Sequence, residues 1–138
     1  MTTIAVDLNE MASDSMASDE VTMSSVTKSW RVHGTLVGVA GTYSNCVQFI
    51  GWLKGKQEGD PPSMEGVCAV VLKPDGLWMY DDHINPYRLK DKFVAIGSGA
   101  QAAMAAMHLG CTPREAVRVA AKIDPSTGGR IYVKKLIS

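Results

Sequence analysis

Thr2-Thr3-Ile4-Ala5-Val6-Asp7-Leu8, then Asn9-Glu10, then Met11-Ala12-Ser13-Asp14-Ser15, is the stretch whose reading decides the fold of this chain. Ile4, Val6 and Leu8 alternate with Ala5 and Asp7, the period of two that marks a strand. Asn9–Glu10 is read as a tight turn, and Met11 to Ser15 as a second strand.

Working outward, residues 16–27 are rich in Ser, Met and acidic side chains without a clear period, and read as an ordered surface loop. Ser29 to Val32 and Leu36 to Val39 flank His33–Gly34, a hairpin turn. After Ala40-Gly41-Thr42, Ser44 or Asn45 is placed to cap a helix that runs to about Lys56. Residues 57–63 hold Gly59, Asp60, Pro61 and Pro62 and read as a loop. Val67 to Leu72 and Leu77 to Tyr80 are strands around the turn Pro74-Asp75-Gly76. Asp81 to Arg88 reads as polar loop, and Lys92 to Ile96 as a strand.

Gly97-Ser98-Gly99 opens a helix rich in alanine that ends at Gly110. Thr112-Pro113-Arg114-Glu115 is a capping box with proline in the first turn, and starts a helix that runs to about Lys122. Asp124 to Gly129 is a turn, and Arg130 to Ile137 a last strand. Hairpins imply antiparallel pairing, so this order predicts two antiparallel sheets with helices outside, within one domain over residues 1–138.

Composition narrows the classes of function. Hydrophobic residues make up 46% of the 138 and charged residues 20%, which is globular composition. Lys plus Arg and Asp plus Glu are 14 each, so a formal net charge of zero argues against bulk attraction to nucleic acid or an anionic membrane. No apolar run reaches the length of a membrane span, and the amino end lacks the pattern of a signal peptide. Cys46, Cys68 and Cys111 lack metal-ligand spacing and read as reduced thiols of a cytoplasmic protein. His33, His83 and His108 have no carboxylate or cysteine at such spacing either, and the expectation is no metal and no cofactor.

Thr2 follows Met1, and N-terminal processing removes Met before a small residue. An exposed threonine carries a hydroxyl beside its own α-amine, whose pKa of roughly 7.7–8.0 suits it to accept a proton near neutrality. A Thr hydroxyl activated in this way is a known nucleophile. Taken alone, threonine at this position is more often incidental.

Four stretches in order change that balance. Thr2-Thr3-Ile4-Ala5-Val6 with Met11-Ala12-Ser13-Asp14-Ser15, then Val37-Gly38-Val39-Ala40-Gly41-Thr42, then Val94-Ala95-Ile96-Gly97-Ser98-Gly99, then Asp124-Pro125-Ser126-Thr127-Gly128-Gly129, together resemble the proteasome β-subunit and HslV family of N-terminal-nucleophile (Ntn) hydrolases. The resemblance implies an α+β fold, a four-layer αββα sandwich of two antiparallel sheets. Between Gly41 and Val67 this chain has room for one helix where the family has two.

Site roles follow the motifs. The resemblance makes Thr2 the nucleophile, and Asp14 the second-strand carboxylate that pairs with a buried lysine, best matched by Lys28. It makes the Gly41 N–H an oxyanion donor, Ser98 a partner of the nucleophile's amine, and Asp124 with Thr127 the pair that holds the N-terminal residue. Val39 and Tyr43 match the lining of the specificity pocket; Val39 suggests an apolar preference and Tyr43 a narrower pocket. Read by residue type alone, Asp14 and Lys28 are also ordinary surface charges, Ser98 a helix cap and Asp124–Thr127 a turn. The function implied is a threonine-type endopeptidase or amidohydrolase of the cytoplasm, acting on a peptide or protein. Its partners would be copies of itself, in a ring, and an ATPase. Two alternatives stay open: a non-catalytic assembly or binding subunit on the same fold, and an Ntn amidase of a small amide.

Overall fold

The computed structural model describes residues 2–18 and 23–137. Its strands are β1 (Thr3–Asp7), β2 (Glu10–Ser13), β3 (Met16–Ser18), β4 (Met23–Ser25), β5 (Ser29–Val32), β6 (Thr35–Gly41), β7 (Val67–Lys73), β8 (Gly76–Asp81), β9 (Tyr87–Leu89), β10 (Phe93–Gly97) and β11 (Tyr132–Lys135). The helices are α1 (Tyr43–Lys54), α2 (Ala100–His108) and α3 (Pro113–Ile123).

Two antiparallel sheets form the middle of the molecule, one in the order β10-β1-β2-β11 and the other β5-β6-β7-β8-β9. Between them pack Ile4, Val6 and Met11 from the first sheet and Leu36, Val70, Leu72 and Leu77 from the second. On the outer face of the first sheet, Ala5, Ala12 and Ala95 meet Ala103, Ala116 and Ala120 of α2 and α3. Small side chains on both surfaces let the helices lie close to the sheet. On the outer face of the second sheet, Val37, Val39, Ala69 and Tyr80 meet Phe49 and Ile50 of α1. The result is the αββα sandwich expected from the sequence, with one helix between β6 and β7.

Ile4, Ala5 and Val6 are all fully buried because both faces of β1 are covered. Leu8 is not part of that strand. It is exposed in the turn, where Asp7 Oδ1 accepts from the backbone N–H of Asn9 (2.8 Å) and Glu10 (2.9 Å). That side-chain turn sets the register Ile4↔Ser13, Ala5↔Ala12 and Val6↔Met11, which delivers Asp14 next to Thr3. The Val32–Thr35 connection is the expected two-residue hairpin, with His33 (φ 48°) and Gly34 (φ 77°) both left-handed.

The boundaries differ from expectation in four places. The stretch read as a loop over 16–27 contains the paired strands β3 and β4, and residues 19–22 lie outside the described residues. Its missing period reflects a hairpin too short to show one. The cap of α1 is Thr42, two residues before Ser44, and its side chain makes no capping hydrogen bond. The segment Asp81 to Arg88 ends in edge strand β9, whose exposed pattern carries no alternation to read. The last strand is shorter than predicted, four residues at a sheet edge. The box at Thr112 is present in full: Thr112 Oγ1 accepts from Glu115 N (3.2 Å) and Glu115 Oε1 from Thr112 N (2.9 Å).

Candidate active site

A cleft of about 570 Å³ opens where the two sheets part at one end of the sandwich. Thr2, Gly97 and Ser98 line it from the first sheet, and Ala40, Gly41 and Gly66 from the second, with Tyr43 at its margin. Thr2 is 8% exposed, and its hydroxyl makes no hydrogen bond among the described residues. The side chain is packed, yet its oxygen is left available at the wall of the cleft.

The backbone of Thr2 is held from the β10–α2 turn. Ser98 Oγ lies 3.3 Å from Thr2 N and donates toward Thr2 O at 3.4 Å, and Gly99 N donates to the same carbonyl at 3.4 Å. Gly97 takes φ +98°, and a Cβ there would stand 2.0 Å from Thr2 O, so this approach demands glycine. Ser98 Oγ also pairs with Asp124 Oδ2 at 2.5 Å, and Thr127 Oγ1 donates to that oxygen at 2.6 Å. Burial alone would raise the Asp124 carboxyl; the hydrogen bonds from Ser98, Thr127 and Ser126 outweigh it and hold the group below the usual carboxylate range.

Beneath Thr2 lies a buried ionic network. Asp14 is fully buried, and its Oδ1 accepts from Lys28 Nζ (2.9 Å) and Thr3 N (3.0 Å), while Oδ2 accepts from Gly128 N (3.1 Å). Lys28 Nζ also donates to Met16 O at 2.6 Å. Burial lowers the Lys28 ammonium pKa, with the Asp14 hydrogen bond and charge opposing the shift. An unpaired charge here would be costly, so each is satisfied several times. The hydroxyls of Thr3 and Thr127 meet at 2.7 Å and join this network to the Asp124 turn.

Gly41 closes the opposite wall with φ +115°, and a Cβ would fall 1.8 Å from Gly66 O. Hydrogen bonds along β6 alternate in direction: Val39 N donates to Lys28 O on the β5 side, and Thr42 N to Gly66 O on the β7 side. The Gly41 N–H therefore points to the β5 side, beyond the point where β5 begins at Ser29.

The structure thus brings Thr2, Asp14, Lys28, Gly41, Ser98, Asp124 and Thr127 to one end of the sandwich, with Tyr43 beside them. It does not bring Val39. That side chain is 1% exposed in the apolar cluster under α1, because residues 37 and 39 face the helix while Leu36 and Ala40 face the other sheet. Ala40 lines the cleft in its place. Tyr43 donates its hydroxyl to Thr27 O at 2.8 Å, and burial raises its pKa, so the ring is tied to the segment before Lys28. Sequence reasoning missed Thr3, whose fully buried hydroxyl reads in the sequence as an ordinary strand residue, and the Met16 carbonyl, since a main-chain acceptor leaves no residue signature.

Two of the thiols are held protonated: burial raises the Cys46 thiol to about 11 and the Cys68 thiol to about 11, far from a reactive thiolate. Among the described residues no group of three His, Cys, Asp or Glu is placed to hold a metal ion, and no helix is long and apolar enough to cross a membrane.

No family model matches the chain, and no curated protein matches it. Solved structures do. Thiobacillus denitrificans BPH in complex with epoxomicin superposes with TM-score 0.72 at 18% identity, covering 99% of this chain and 99% of that one. BPH by itself gives 0.68 at 19%, over 98% and 97% of the two chains. Eukaryotic HslV from Trypanosoma brucei gives 0.72 at 20%, over 96% and 98%.

Proposed function

On the HslV- and proteasome-like Ntn-hydrolase fold that these likenesses show, we propose that the chain is a threonine-type peptidase or amidohydrolase whose nucleophile is Thr2 after removal of Met1. One observation carries the reading: the Thr2 hydroxyl is unbonded at a cleft wall while its own main-chain nitrogen is held by the Ser98–Asp124 pair.

In the proposed reaction, Thr2 Oγ attacks a substrate carbonyl carbon, and its proton passes to the free α-amine. The Gly41 N–H, facing past the end of β5, stabilises the oxyanion. The C–N bond breaks as the α-ammonium returns the proton to the leaving amine. Water, deprotonated by the same amine, then hydrolyses the acyl ester and restores Thr2. The Lys28 ammonium favours the free-base form of the amine and steadies developing negative charge, while Asp14 holds it in place. Ser98 orients the amine, and Asp124 with Thr127 braces the turn behind it. The substrate is a peptide or protein, and the protein acts in the cytoplasm as a homo-oligomer, a ring served by an ATPase.

Intact mass of the protein made in cells, before and after a peptide epoxyketone, tests the reading. BPH has been solved with epoxomicin, which makes that compound a natural probe. The expected result is loss of Met1 and one adduct, absent in Thr2→Ala, with turnover in that variant down by a factor on the order of 10⁴. Retained Met1 without an adduct would overturn it. Light scattering decides the ring.

A further inference from the structure

The cleft does not end at Thr2. Cross-strand register places Ala40 opposite Cys68, and Cys68 opposite Asp81, in one row over β6, β7 and β8. All three lie on the inter-sheet face: Leu36, Val70, Leu72, Leu77 and Met79, at alternate positions of the same strands, pack between the sheets. The row runs from buried Ala40 through half-buried Cys68 to exposed Asp81, and all three line the cleft. Asp82 lines it too, with Oδ1 fixed by Gly66 N at 2.8 Å. Asp81 makes no hydrogen bond or ion pair among the described residues. Among the described residues no lysine or arginine lines the cleft.

We propose that this row is the specificity pocket, and that it selects substrates with a lysine or arginine side chain next to the scissile bond. The inference rests on the reading of the cleft as a peptide site. Two strand spacings, about 10 Å, separate Gly41 from Asp81, so a short side chain seated at Thr2 falls short of the carboxylates. The long stem of lysine or arginine lies along Ala40 and Cys68 and delivers its charge to Asp81 and Asp82. Burial raises the Cys68 thiol, and both carboxylates add to that rise, so their field acts on the pocket floor. The preference for apolar side chains inferred from Val39 gives way, because Val39 faces α1.

Binding to Thr2→Ala protein separates recognition from chemistry. Calorimetric titration compares acetylated tripeptide amides that end in arginine, lysine, norleucine or glutamate. The cationic peptides should bind about fivefold tighter than norleucine at low salt, with the advantage shrinking as salt rises. Asp81→Asn with Asp82→Asn keeps the Gly66 N–H acceptor and should erase that advantage; a thermal melt confirms folding. Equal affinities, or a preference that survives the double variant, overturn the pocket assignment and leave the peptidase reading standing. No binding by any peptide overturns both.

Discussion

Around Phe49 the chain buries Val37, Val39, Ile50, Val67 and Val71, all apolar; around Asp14 it buries Thr3, Ser13, Ser15, Lys28 and Thr127, all polar. The apolar region lies on the outer face of the second sheet under α1, and the polar region joins the two sheets at the Thr2 end. In the polar one, Asp14 and Lys28 satisfy each other and recruit main-chain groups from β1, β3 and the Asp124 turn. In the apolar one, Trp52 Nε1 is the single buried side-chain polar atom without a partner among the described residues. The apolar region stabilises by removing area from water, which tolerates many arrangements. The polar region fixes positions, since each hydrogen bond has one geometry, and that is what a nucleophile needs.

Substitutions should divide along that line. The largest expected loss of stability is Phe49→Ala, about 4 kcal/mol by urea denaturation, with epoxyketone labelling of the folded protein unchanged. Lost labelling in a folded Phe49→Ala would break the division. Asp14→Ala should cost about 3 kcal/mol, because it removes the carboxylate that pairs with the Lys28 ammonium and accepts from two backbone donors, and should also abolish labelling. Retained labelling there would show that the network only stabilises.

Ser98→Ala is next: a loss of about 1 kcal/mol in stability, and a far larger drop in acylation rate measured by stopped-flow, because the amine loses its orienting partner. Thr112→Ala removes one capping bond remote from the cleft and should cost about 1 kcal/mol without touching the rate.

Acid titration gives the mildest test. The folded Asp124 carboxyl sits below its usual value, so its contribution is present above the unfolded pKa of roughly 3.9 and lost as pH falls through the folded one. Thermal midpoints followed downward from about pH 5 should fall less steeply in Asp124→Asn than in the parent. Parallel curves would show that the turn is held by other contacts.

Much of this was readable in advance. The alternation of Ile4, Ala5 and Val6, the alanines of α2 and the Thr112 box are local patterns, and local patterns survive in sequence. β3, β4 and β9 were not readable, since three-residue strands carry no period. Lys28 and its burial were implied by the resemblance, but its bond to the Met16 carbonyl became evident only with the fold.

By itself, then, the sequence determined two antiparallel sheets with helices outside, because strand and helix periods and turn residues are written at short range, while the residues at the Thr2 end, Val39 excepted, followed from the order of the four motifs. The tertiary structure alone decided which face each residue presents. A shift of one residue along β6 sends Val39 under α1 and Ala40 into the cleft, and the cross-strand row then carries the pocket to Asp81. Those are pairings between residues far apart in the chain, fixed by register and by the close approach of two sheets, and no local pattern encodes them.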